Sequence, residues 1–280
     1  MDGMQPMHHG SGGGHLPETV LTVTILLSAA ASYLLAAGQA RRRNPAQGWN
    51  PWRSVSFLAG LALLAVALLL PLGPAGHSDF RAHMAQHMLI GMYAPLALVL
   101  AAPVTLLLRT LPTARARRVT ALLHSPPARA LAQPATALVL STGTLGLLYF
   151  TPLYNTASAH PAGHWLLHAH FLVSGCLFAY VIAGPDPAPS RPGVRARLVY
   201  LGFAIAVHAL IAQAMYGGIF VDIHAPISQV QQGAEIMYYG GDIAELLLAG
   251  ALVATWRPER RTRATEPSQL PALSASAEPQ

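Results

Sequence analysis

Residues 19–43 read TVLTVTILLSAAASYLLAAGQARRR, an apolar run closed by Arg41, Arg42 and Arg43. About 20 apolar residues in a helix rising 1.5 Å each are enough to cross a hydrocarbon core of roughly 30 Å. Lipid offers no hydrogen bonds, so the backbone of such a run satisfies itself as a helix. The pattern recurs along the chain, with apolar runs at about 17–38, 54–72, 82–108, 131–151, 164–184, 198–220 and 232–256. The expected fold is therefore all-α, a polytopic membrane bundle of seven transmembrane helices. Pro95 and Pro103 fall inside the third run, which is expected to kink or end near Pro103.

The arginines set the orientation. Sixteen of the 17 lie after the first, third, fifth and seventh runs: Arg41 to Arg53, Arg109 to Arg129, Arg191 to Arg197, and Arg257 to Arg263. The intervening loops hold only Arg81. The positive-inside rule then places the N-terminus outside and the C-terminus in the cytoplasm. Three regions are expected: an outer Met/His-containing tail over 1–16, the helical domain over 17–256, and a cytoplasmic tail over 257–280, both tails disordered. A cleaved signal peptide fits the first run less well, because its basic cluster follows the apolar stretch and does not precede it.

Composition agrees. Of 280 residues 53% are hydrophobic and 10% charged, where a soluble domain carries roughly 25% charged residues. The formal charge of +6 could point to nucleic acid, but the arginines sit in short clusters between apolar runs and make no basic face. The single cysteine, Cys176, excludes an internal disulfide or a cysteine metal knuckle.

With the sides assigned, twelve of the 13 histidines fall outside or within the bilayer, and His124 alone lies in a cytoplasmic loop. His83 and His87 are four apart in the first outer turns of the third helix, so both rings share one face. His164 and His168 repeat the spacing on the fifth, with His160 near the cap and Pro161 in the first turn. Two such pairs side by side would supply three or four nitrogen ligands to one transition metal. His170 points about 200° away from His168 and His208 lies mid-helix, which makes both secondary candidates. Each of these could instead be an interfacial or packed histidine.

Met84, Met88 and Met92 form an i, i+4, i+8 stripe about 100° from the histidine face, and the tail carries Met1, Met4 and Met7 beside His8 and His9. Thioether with imidazole suits Cu(I), although methionine in a membrane helix is commonly packing filler. The seventh helix carries Glu235, then Asp242 and Glu245 near its centre; intramembrane carboxylates are costly unless paired, protonated or functional. By depth, Asp242 is the expected acceptor for His208, either as a structural hydrogen bond or behind a metal ligand. The sequence shows no nucleophilic triad, phosphate-binding glycine loop or HExxH, so no enzymatic role is expected.

Several stretches resemble the CtaG family of caa3-type cytochrome c oxidase assembly factors. They are His83-Met-Ala-Gln-His87-Met-Leu with Ala94-Pro95-Leu96 and Ala102-Pro103; His160-Pro161-x-x-His164; His170-Phe-Leu-Val-Ser-Gly175-Cys-Leu-Phe178; Gly184-Pro185-Asp186-Pro187 with Arg191; and Gln232-Gly233-Ala-Glu-Ile-Met237-Tyr238. The resemblance covers about residues 55–255, and Tyr238 stands where a tryptophan is expected. It implies a multi-pass protein of the bacterial inner membrane that assists assembly of the oxidase by binding copper transiently on the outer side. The implied partners are oxidase subunits, the lipid bilayer and a periplasmic copper chaperone. The metal-site candidates are His83, His87, His164, His168, His170, His208 and Asp242. Paired helical imidazoles also leave open a haem or quinone redox protein, and the carboxylates a proton- or metal-coupled transporter.

Overall fold

The computed structural model describes residues 15–70, 72, 79–188 and 191–255. Most of the expected outer tail, with His8 and His9, together with His77 and the expected tail 257–280, lies outside the described residues. Among the described residues there is no strand. Six helices are long and apolar enough to cross a membrane: α1 (His15–Arg43), α2 (Pro51–Leu69), α3 (Phe80–Thr110), α8 (Pro161–Ile182), α9 (Val194–Tyr216) and α10 (Ile227–Thr255). Shorter helices α4 (Thr113–Leu123), α5 (Pro126–Leu131), α6 (Pro134–Tyr149) and α7 (Leu153–Ser158) connect α3 to α8. Large apolar side chains such as Val20, Leu27 and Leu35 on α1, and Leu246 on α10, are exposed, the inverse of a soluble protein and the arrangement lipid favours.

The run expected at 131–151 is the exception. Pro134 starts α6 and Pro152 closes off the chain after it. The resulting helix is about 24 Å long, short of the roughly 30 Å hydrocarbon thickness. Its two ends meet different parts of the bundle: Leu138 packs in one cluster with Leu96, midway along α3, and Ile182 at the end of α8, whereas Tyr149 meets His83 near the start of α3.

α3 is the central helix, packed against α2, α8 and α10. Asn50 and Asp79 cap α2 and α3 by accepting from Trp52 N and Arg81 N, and Pro161 opens α8 behind an extended His160. Within α3, residues Leu89–Tyr93 form a π-turn, and a second π-turn spans Val139–Gly143 in α6. Pro95 carries no N–H to offer the Gly91 carbonyl. That carbonyl lies against α8 at Gly175, where a Cβ would collide with it. The kink expected near Pro103 is a full break: Ala102 is left-handed (φ 53°, ψ 54°) and Pro103 restarts the helix.

The break exposes amides that a loop carboxylate takes up. Asp186, 2% exposed, accepts from Thr105 N at 2.7 Å, Val104 N at 3.1 Å and Thr105 Oγ1 at 2.5 Å. An anion at a helix N-terminus also gains from the helix dipole. Arg191 donates to the Tyr180 and Asp186 carbonyls, and Arg197 to the Ile182 carbonyl, so two arginines close the C-terminus of α8. Burial pulls the Arg191 guanidinium below its ordinary range.

Two stability outcomes follow. Gly175→Ala forces α3 and α8 apart and is expected to cost about 1–3 kcal/mol, read as a lower Tm in detergent; an unchanged Tm would refute the close approach. Asp186→Ala leaves two part-buried amides without their acceptor and is expected to cost roughly 2–4 kcal/mol, with protease cleavage near residue 103 accelerated. Cleavage and melting like wild type would mean that Asp186 does not hold this helix start.

Candidate functional site

Two polar layers lie one helical turn apart where α3, α6, α8, α9 and α10 meet. At the entrance, Asp79 holds Arg81 through paired contacts of 2.9 and 3.1 Å to Nε, and Arg81 Nη1 donates to Gln232 of α10 at 3.0 Å. The Arg81 hydrogen bonds hold the Asp79 carboxyl below the usual carboxylate range. Phe80 N donates to Gln229 Oε1 at 3.2 Å, which aligns the first turns of α3 and α10. Gln86, the central residue of the His83–His87 stretch, donates to the Ala67 carbonyl at 3.0 Å and so satisfies the last turn of α2.

The first layer centres on His83, which is 1% exposed. Its Nε2 lies 3.3 Å from Tyr149 Oη, its ring meets the edge of Tyr154 at 4.7 Å, and its Nδ1 has no hydrogen-bond partner among the described residues. Burial pushes the Tyr154 phenol up to about 12, which keeps it protonated at neutral pH. Across from His83 stands His164 on α8, with ring centres 6.3 Å apart, and His164 lies 5.6 Å from His168. Two imidazoles bound to one ion at about 2 Å have ring centres about 5–6 Å apart, so these pairs lie close to ligand spacing.

The second layer contains His87, His208 and Glu245, each buried. They line a cavity of about 40 Å³ together with Met92, Thr142 and Ser174. His208 Nδ1 lies 3.8 Å from Glu245 Oε1, an ion-pair distance longer than a hydrogen bond. Gly241 gives the His208 ring its place, since a Cβ there would overlap it. Both π-turns border this cavity, through Gly91 and Met92 on α3 and through Ser141 and Thr142 on α6. Such bulges frequently occur at functional sites.

The predicted ligands are thus distributed over the two layers. His83, His164 and His168 gather in the first, and His87 and His208 in the second. His170 stands apart, its Nε2 3.0 Å from Thr144 Oγ1. Asp242 is half-buried, and the carboxylate within ion-pair distance of His208 is Glu245. Met84 and Met88 pack at Gly233 and Gly240 of α10, separate from the imidazoles. Among the described residues no three His, Cys, Asp or Glu side chains stand close enough to hold one metal ion. The donors fit copper in kind, as buried imidazole nitrogens with a thioether nearby, and as they stand they offer it pairs.

Sequence reading missed Tyr149, Tyr154 and the pairing of Glu245 with His208. The Asp242–Glu245 spacing on one helix named both carboxylates, and only the position of α9 distinguishes them.

Comparison with known proteins gives one family and three relatives. Uncharacterized proteins of Mycobacterium bovis and Mycobacterium tuberculosis are each 37% identical over 187 residues, and one of Mycobacterium leprae is 34% identical over 186. Each alignment covers 64% of this chain and 28% of the relative, so the chain spans just over a quarter of the relatives it matches. No solved structure matches. The family described as cytochrome c oxidase caa3 assembly factor matches residues 31–259, and the chain belongs to that family.

Proposed function

We propose that this protein is a membrane-embedded, non-catalytic assembly factor that holds copper transiently at the outer end of its bundle and passes it to a cytochrome c oxidase subunit. The observation that carries the reading is the meeting of His83 and His164, from separate helices, at 6.3 Å beside His168. An incomplete ligand set suits a carrier, because a metal bound by two or three imidazoles can be surrendered to a site with more or softer ligands. In this reading a periplasmic copper chaperone supplies the ion, and the oxidase receives it while both proteins sit in the bacterial inner membrane.

The topology belongs to the same proposal: seven crossings, with the N-terminus outside and the C-terminus in the cytoplasm. Sixteen arginines on alternate loops support it. So does the passage of α6 from the Leu138 cluster to Tyr149. The mismatch of a short helix can be absorbed by local thinning of the bilayer.

Two measurements test these statements. Purified protein loaded with Cu(I) and washed with a competing chelator should retain copper, and His83→Ala/His164→Ala should retain about one equivalent fewer than wild type; equal retention would end this ligand assignment. An amino-terminal epitope on whole spheroplasts should be removed by added protease, and a protected epitope would invert the topology and move the histidines to the wrong side.

A further inference from the structure

The second layer holds donors that the first does not use. His87 and His208 are each 4% exposed. Both ring nitrogens of His87 and Nε2 of His208 have no hydrogen-bond partner among the described residues. Buried polar atoms left unpaired are unfavourable, and three of them on one cavity is a pattern that a bound ligand resolves. The cavity, about 40 Å³, is large enough for one ion with a water and too small for an organic cofactor.

Met92 supplies the feature that selects the ion. Met84 and Met88 lie against α10, but the π-turn Leu89–Tyr93 shifts the register of α3 by one residue, and Met92 lines the cavity. Glu245 Oε1 lies 3.8 Å from His208 Nδ1, while Nε2 of the same ring has no hydrogen-bond partner among the described residues. Two imidazoles and a thioether suit the cuprous ion. Zinc prefers four nitrogen, thiolate or oxygen donors, and hard cations require oxygens that one carboxylate does not supply.

We propose that His87, His208 and Met92 form a second, deeper station for Cu(I), one helical turn below His83, with Glu245 as a positioning residue. The inference rests on the reading of the protein as a copper carrier. It adds the oxidation state of the cargo and an order of occupancy: the imidazole pair at the outer end admits the ion, and the thioether-containing site retains it in reduced form.

The test uses full-length protein purified in detergent, loaded anaerobically with Cu(I) against a chelator, with copper counted and its neighbours read by X-ray absorption. Wild type should bind about two equivalents and show a sulfur neighbour. Met92→Leu, which conserves volume, should bind about one equivalent without sulfur at an unchanged Tm. Glu245→Gln should keep the sulfur signal and weaken the second equivalent roughly 10–100-fold. A Met92→Leu protein that keeps both equivalents, or wild type with one nitrogen-bound equivalent, overturns the deeper station and leaves the outer one standing. Wild type that binds no copper overturns both.

Discussion

A backbone buried in lipid has no solvent to accept its loose ends, and α3, broken at Ala102 and bulged at Leu89–Tyr93, has several. Two neighbouring helices and a loop take these up. Tyr33 of α1 donates to the Ala101 carbonyl at 2.8 Å, Ser56 of α2 to the Ala97 carbonyl at 2.6 Å, and Asp186 collects the amides after Pro103. Tyr93 returns the service to α10, donating to the Gly240 carbonyl at 2.8 Å. These bonds, more than apolar contact, fix which helix stands beside which, because hydrocarbon tails compete with leucine for leucine but not with a hydroxyl for a carbonyl. The irregular central helix is therefore what orders the bundle, and it also carries one histidine of each layer, His83 and His87.

The same irregularity divides the histidines. His83 and His87 share a helical face by spacing, yet His83 meets α6, α7 and α8 while His87 shares a cavity with α9 and α10. A face is a strip about one side chain wide, and one turn of descent is enough to change which helices it meets. The bulge below His87 and the glycine at 241 then give the lower layer its space.

Much of this was legible in the sequence. Run lengths located six long helices to within a few residues, Pro161 marked the start of α8, and Pro103 marked the break in α3. Helix spacing named His83 and His87, and the carboxylates of α10 were visible as costly intruders. What did not show was anything that depends on a partner helix. Asp186 reads as a loop residue until Thr105 is seen above it, and the choice between Asp242 and Glu245 depends on the rotation of α10 against α9. The fourth run looked as long as the others because hydropathy counts residues and takes no account of Pro134 and Pro152 at its ends.

The left-handed Ala102 has a mechanical consequence. The amides of Val104 and Thr105 turn to Asp186 in place of the preceding turn, so the segment Pro103–Thr110 is held by Asp186 and by Arg43 on the Thr110 carbonyl, while Leu106 N still donates to the Ala102 carbonyl. The arginine-bearing end thus takes its hydrogen-bond anchors from a loop and from α1, apart from the turns that carry His83 and His87.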